Sequence, residues 1–225
     1  MQNPAVPLTG AGGFRMPKLG FGTWRALSLG AFLAVAAFVP AALPKTEEAP
    51  QSASLAGQLL VASPEIGDPR FHHAVILVVQ QNKEGALGIV INRPLGEVSL
   101  ASLLDAIGKS DPGVTGNVRI YAGGPVQPMI GFIVHSGEYR RSATVDIDGR
   151  VAMTASAEIL RDIGHHNGPK KFLAAFGYTG WGPGQLEDEL AQGAWFTEPE
   201  NPKLVFDDDR EKLWDKAMAL RVVPL

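Results

Sequence analysis

Short apolar runs separated by Gly- and Pro-rich segments mark the chain from residue 55 onwards, and this pattern predicts a β-sheet. The runs at 58–62 (QLLVA), 74–79 (AVILVV) and 86–91 (ALGIVI) are short and rich in β-branched residues, as strands are. The run at 74–79 has no polar position, so we expect a strand that is buried on both faces.

Further strands and helices are predicted along the rest of the chain. The predicted strands lie at 118–125, 130–136 and 171–178, with a type I′ hairpin turning at Asp148-Gly149 within 143–156. The predicted helices lie at 99–107, 156–163, 185–192 and 210–221. The elements neither alternate strictly nor repeat at a fixed period. This order predicts the α/β class, as a compact mixed-sheet sandwich flanked by helices.

The first 54 residues differ from the rest and are predicted to be an N-terminal extension to a single folded domain over 55–225. Residues 26–44 of the extension are uncharged and apolar, and they follow a basic stretch. This order is typical of a secretory signal, and the apolar length also suits a membrane anchor. A start codon assigned too far upstream would produce the same leader. An anchored protein, a periplasmic one and one without this segment therefore remain open.

Charge and composition narrow the classes of partner. The chain has 225 residues, of which 45% are hydrophobic, so it can form a packed core. Its net charge is −3, and the basic residues cluster only in short pairs such as Arg140-Arg141 and Lys170-Lys171. This balance argues against direct binding to nucleic acid, which needs a concentrated basic face. The chain has no cysteine, which excludes disulfides and thiolate metal sites.

A glycine-rich loop at 177–184 leads from a predicted strand into the helix at 185–192. Such loops hold phosphates in some enzymes, but the first turn here carries Glu187, Asp188 and Glu189, which would repel a phosphate. Neither a P-loop nor a dinucleotide-binding spacing is present. We interpret the loop as a tight turn at which Trp181 covers the edge of the core.

No motif identifies a metal, a cofactor or a catalytic centre. The adjacent histidine pairs His72-His73 and His165-His166 lack metal-ligand spacing, and no nucleophile elbow is present. The run Asp207-Asp208-Asp209 is interpreted as an exposed loop that caps the last helix. We therefore predict no cofactor and no metal, and we favour a protein that is not an enzyme.

Polar residues at strand ends form one candidate binding pocket. Asn92 and Arg93 follow a predicted strand, and strand ends are where α/β folds place binding sites. The hypothesis is a pocket for an acidic small molecule at Arg93, and the alternative is that Arg93 is a surface residue or pairs with Glu97. The candidate pocket consists of Asn92, Arg93, Gly123, Gly124, Pro125, Gly180 and Trp181, near the turn at 123–126.

Several stretches together are characteristic of one family. They are GQLLVASPEIGDPRFHHAVILVV (57–79), EGALGIVINRP (84–94), YAGGPV (121–126), GFIVHS (131–136), TASAEILRDI (154–163), GPKKFLAAFGYTGWGPGQLEDEL (168–190) and WF (195–196). In this order they resemble the AlgH/YqgE family of bacterial proteins, over nearly the whole domain.

The resemblance implies a compact cytosolic α/β domain and no defined reaction or catalytic residues. The family name comes from a genetic link to the regulation of alginate synthesis, so a regulatory or interaction domain is expected, with a protein or a small molecule as partner. Two features depart from the family pattern. The leader of some 50 residues is unusual, and Ile130 stands where family members commonly have Arg.

Overall fold

The computed structural model describes residues 54–199 and 201–220, so the predicted apolar segment at 26–44 lies outside the described residues. The strands are β1 (Leu59–Ala62), β2 (Val75–Asn82), β3 (Gly85–Val90), β4 (Pro94–Ser99), β5 (Asn117–Ala122), β6 (Val126–Ser136), β7 (Thr144–Asp146), β8 (Val151–Thr154), β9 (Phe172–Trp181) and β10 (Trp195–Glu198). The helices are α1 (Leu100–Ala106), α2 (Ala157–Gly164), α3 (Gln185–Ala191), α4 (Pro202–Val205) and α5 (Leu213–Ala219), with a 3-10 turn at Pro69–Phe71.

Strand β9 joins two halves of a strongly curved sheet. Its C-terminal part pairs with β3 and continues the order β10-β1-β2-β3. Its N-terminal part pairs with β6, which leads to β8 and β7, and also with β5, whose other neighbour is β4. The β5–β9 pair is parallel and the other described pairs are antiparallel. The sheet is therefore mixed, as predicted.

The main core lies between the two halves of the sheet. Successive strand residues point to opposite faces, so Leu59 and Val61 of β1 enter this inner core while Leu60 and Ala62 face the outer side. Leu213 of α5 packs into the same inner core and is fully buried. Because both faces of β1 and of the first five residues of β2 are covered, these stretches are unbroken apolar runs.

Helices cover the two outer faces. On the first half, Leu186 of α3 packs against Leu60 and Trp195. On the second half, Leu104 of α1 and Ile159 of α2 pack over β5 and β9. The Ser99 hydroxyl accepts a hydrogen bond from the Ser102 amide at 3.0 Å and so begins α1 where the sequence predicts. The prediction of a sandwich flanked by helices is thus confirmed.

Several local expectations were wrong. Strand β5 ends at Ala122, because Gly123 turns to meet β9, and β6 begins earlier than predicted, at Val126. The hairpin is not of type I′, which needs a positive φ at both central residues. Only Gly149 has one, at +83°, and Ile147 bonds Val151 across a three-residue connection.

Strands β4 and β10 and helix α4 were not predicted, and the acidic run has a different role from the one expected. Lys212 precedes α5 without any side-chain capping bond. Asp207 instead binds the ammonium group of Lys216 at 2.8 Å. In the part of the chain that the structure describes, none of the helices is long and apolar enough to cross a membrane.

Candidate functional site

Asn92, the first residue of the predicted pocket, stabilises the sheet at the start of β2. Its side-chain oxygen accepts a hydrogen bond from the Val75 amide at 2.9 Å, and its side-chain nitrogen donates to the His73 carbonyl at 2.8 Å. Asn92 is only 8% exposed. Both polar atoms of the amide are therefore committed to the backbone at the start of β2, which leaves little for a ligand.

Gly123 and Gly124 lie beside Asn92 and have a structural reason to be glycine. The Gly123 carbonyl accepts from the Val90 amide at 2.8 Å, and the Gly123 amide donates to Phe176 at 2.7 Å. A Cβ atom on Gly124 would lie 2.6 Å from the Thr179 nitrogen and still closer to the Tyr178 carbonyl. The turn thus packs backbone against backbone on β9, and exposed Pro125 follows it.

The remaining predicted residues divide between two places. Arg93 donates through Nη2 to the His72 carbonyl, so it stays near Asn92, and it makes no salt bridge with Glu97, which pairs with Arg119 at 3.4 Å. Gly180 and Trp181 pair with the opposite end of β3, at Leu87 and Ala86. The structure therefore brings together five of the seven candidates, and whether they bind a ligand stays a prediction.

A second region, which the sequence did not indicate, has the features of a binding site. It is an open groove of about 520 Å³ between the second half of the sheet and the segment that joins α4 to α5. We call it the Arg210 groove. Its lining residues are Glu97, Asn117, Val118, Arg119, Tyr121, Lys170, Lys171, Phe172, Phe206, Asp208 and Arg210.

Arg210 is the buried charge of this groove. Its exposure is 6%, and Nη1 donates to the Val205 carbonyl at 2.8 Å. The guanidinium carbon lies 5.4 Å from the centre of the Tyr121 ring. Nε has no hydrogen-bond partner, and no described carboxylate forms a salt bridge with the side chain. Burial lowers the pKa of Arg210, but arginine still carries its charge at neutral pH.

Arg119 and Tyr121 place a second guanidinium and a phenol beside Arg210. They are two residues apart on β5 and so share a face of the sheet. The neighbouring Tyr121 raises the pKa of Arg119, first through its charge and then through a hydrogen bond. The β4–β5 register puts Glu97 directly opposite Arg119, which accounts for their ion pair.

The rim of the groove adds further positive charge and apolar surface. Lys170 and Lys171 are both exposed, and within the described residues neither ammonium group has a carboxylate within 4.0 Å. Phe172 and Phe206 are half-buried and contribute aromatic surface. Four basic and two acidic residues line the groove, although the whole chain has a net charge of −3.

These groups can bind an anion but do not form a familiar catalytic set. Guanidinium, ammonium and phenol groups donate hydrogen bonds, which suits carboxylate or phosphate oxygens. The described lining contains no serine, threonine or histidine, so it lacks the usual nucleophile and base pair of a hydrolase. The described residues also contain no cluster of three His, Asp or Glu side chains that could hold a metal ion.

Comparison with known proteins gives the family. A family model described as AlgH-like (DUF179) matches residues 59–224. The chain belongs to the AlgH-like family. A UPF0301 protein of Jannaschia sp. (strain CCS1) is 42% identical over 166 residues, which cover 73% of this chain and 86% of that relative. A UPF0301 protein of Rhodospirillum rubrum is 40% identical over 164 residues, covering 73% and 85%.

Solved structures agree with this assignment. The solution structure of AlgH from Pseudomonas aeruginosa is 38% identical to the AlgH-like chain described here, with a TM-score of 0.64 over 77% of this chain and 93% of that one. A crystal structure from Corynebacterium diphtheriae, 21% identical and with a TM-score of 0.60, covers 75% of this chain and 87% of that one and shows the same fold. The resemblance found in the sequence is confirmed.

The Arg210 groove of this AlgH-like domain could not be found from local motifs. Its residues come from β4, β5, the start of β9 and the segment after α4, which lie far apart in sequence. The only local hint in the sequence was Arg210, which follows three acidic residues at the start of a predicted helix. Ile130, where the family commonly has Arg, is half-buried and packs against the inner core.

Proposed function

We propose that this AlgH-like domain is a non-catalytic, regulatory binding domain that recognises a small anionic molecule in the Arg210 groove. The observation that carries the proposal is the buried Arg210 side chain, whose Nε has no partner. Regulation through a bound small molecule fits the expectation of a regulatory or interaction domain and needs no reaction.

The burial of the Arg210 side chain costs free energy. Removing a cation from water without a paired anion is unfavourable, and the two carbonyl acceptors of Nη1 compensate only one edge of the guanidinium. Asp207 and Asp208 act on Arg210 through charge alone, without a salt bridge. An anion in the groove would compensate the charge of the Arg210 guanidinium, so its binding should also raise the stability of the domain.

The groove also has the dimensions of a small-molecule site. A volume of about 520 Å³ falls within the range of roughly 300–1,000 Å³ that is typical of ligand pockets. A flat protein interface would not need a buried cation that lacks a salt bridge. The cytosolic location implied by the family resemblance stays a prediction, as do the anchored and periplasmic alternatives for residues 26–44.

Titration calorimetry and thermal unfolding with a panel of small carboxylates and phosphates test this function. Arg119→Gln removes an exposed guanidinium that pairs with Glu97 inside the groove. Arg70→Gln is the matched control, because Arg70 is also exposed and pairs with Asp68, but it does not line the groove. We expect at least one anion to bind the wild type and the control, and to bind Arg119→Gln more weakly. Failure of every anion to bind the wild type at millimolar concentration would refute the proposal.

A further inference from the structure

We infer that the ligand of the Arg210 groove is a phosphate monoester that carries a planar, apolar body. This inference rests on the proposed function and makes it specific, since the function alone would allow any small anion. It combines three features of the groove: its excess of positive charge, the geometry of its guanidinium groups and its aromatic surface.

The charge of the groove matches a dianion. Among the residues that line the groove, the bases Arg119, Lys170, Lys171 and Arg210 outnumber the acids Glu97 and Asp208 by two charges, while Asp207 and Glu138 act on Arg210 and Lys170 from outside the lining. A phosphate monoester carries about −1.5 to −2 at neutral pH, whereas a single carboxylate carries −1. Glu97 already pairs with Arg119. A monoanion would therefore leave part of the positive charge of the groove uncompensated.

The groove carries the kinds of donor that bind phosphate groups. Arg210 is fixed through Nη1, while Nε is unpaired. Guanidinium groups bind phosphate through two parallel hydrogen bonds, and lysine binds it as a point charge. Tyr121 contacts Arg210 and lies on the same face of β5 as Arg119, so its phenol adds a further polar group to the groove. Lys170 and Lys171 supply mobile charges at the rim.

The rest of the ligand would lie against the apolar part of the groove. The aromatic residues Phe172 and Phe206, which are half-buried, contribute this surface. Aromatic faces favour planar groups through stacking. The groove is also large enough for more than inorganic phosphate, because about 520 Å³ exceeds the space that one phosphate group fills.

A nucleic acid strand is the alternative source of phosphate, and the structure favours it less. Each phosphodiester of a strand carries one charge, and its backbone needs a basic track that is longer than a single cluster of bases. Glu97 and Asp208 stand on the same groove, and the net charge of the chain is −3. These acids would repel a long polyanion more strongly than a compact monoester.

Calorimetric titration with four probes tests the inference on the full chain. The probes are phenyl phosphate, inorganic phosphate, benzoate and an octamer of uridylate. We expect phenyl phosphate to bind about tenfold more tightly than inorganic phosphate or benzoate, because only it has both the dianion and the ring. Arg119→Gln and Arg210→Lys should each weaken its binding about tenfold, and Arg70→Gln should not. If Arg210→Lys does not fold, Arg119→Gln carries the test, because its side chain is half exposed.

The outcomes separate the inference from the proposed function. Equal binding of benzoate and phenyl phosphate would overturn the phosphate assignment while the anion-binding function stands. Equal binding of inorganic phosphate and phenyl phosphate would overturn the planar body. Tighter binding of the octamer, weakened by Arg119→Gln, would replace the small molecule with a nucleic acid. If none of the probes and no other small anion binds, both the inference and the proposed function fail.

Discussion

Replacing Gly124 by Ala should destabilise the domain strongly, because the turn at Gly123 and Gly124 is held against β9 by close backbone contact. Gly124 has φ +154°, and a Cβ there would lie 2.6 Å from the Thr179 nitrogen. Gly96 is a matched control, since its φ is +146° and nothing lies within 4 Å of its Cβ position. Both substitutions share the backbone strain, and only Gly124→Ala adds the clash.

The magnitude follows from what the clash must displace. Backbone strain of this kind costs about 1–3 kcal/mol for either variant. Relieving the clash at Gly124 also pulls Gly123 away from its two hydrogen bonds, with Phe176 at 2.7 Å and Val90 at 2.8 Å. Each is worth about 1 kcal/mol, so Gly124→Ala should exceed Gly96→Ala by about 2 kcal/mol.

Urea unfolding followed by circular dichroism measures this difference. With a slope of roughly 1–3 kcal/mol per molar urea, the midpoint of Gly124→Ala should lie about 1 M below that of Gly96→Ala. Equal midpoints, or a lower midpoint for Gly96→Ala, would refute the close packing of this turn. A loss of ligand binding without a loss of stability would instead favour the sequence-predicted pocket around Asn92 and Arg93.

Three further predictions concern buried polar groups. Burial lowers the pKa of His135, so as the pH falls the unfolded chain takes up this proton before the folded domain does. The free energy of unfolding should therefore be largest above about pH 6.5 and fall as the pH drops through that value. His135→Gln should flatten this dependence in urea unfolding at about pH 5 to 7.5. Asn92→Ala should lower the unfolding free energy by about 2–4 kcal/mol, because it leaves the Val75 amide and the His73 carbonyl without partners, and a loss below 1 kcal/mol would contradict this role. Glu189 accepts from the indoles of Trp181 and Trp195 at 2.9 and 2.7 Å, so Glu189→Leu should cost about 1–3 kcal/mol and change the tryptophan fluorescence of the folded state, whereas an unchanged spectrum would contradict these bonds.

The fold was largely predictable because several of its strands, such as β1 and most of β2, are buried on both faces. The run at 74–79 became β2, and the helix signals at Ser99 and Ser156 led to α1 and α2. Strand β4 was missed because most of it is exposed and it begins with a proline, which weakens a strand signal. Strand β10 was missed because it has four residues and owes its pairing to β1, far away in sequence.

The candidate site was less predictable than the fold. The sequence drew attention to Asn92 and to the glycine turn, but it could not show that their polar atoms are occupied by neighbouring backbone. The sequence pattern placed Arg210 at the start of a helix and gave no sign of its burial. That burial depends on α4, α5 and Tyr121, which meet only in the folded domain. Long-range convergence of this kind leaves no spacing that a single sequence reveals.

The most direct test of the central claim is the NMR signal of the Arg210 Nε–H group during a titration with phenyl phosphate. This group has no hydrogen-bond partner in the structure and belongs to the guanidinium that the ligand is proposed to bind. The account predicts a saturable shift of this signal, absent in Arg210→Lys, with an affinity equal to that measured by calorimetry. If calorimetry shows binding while the Arg210 signal stays unchanged, the ligand lies elsewhere and the proposed role of the groove is wrong.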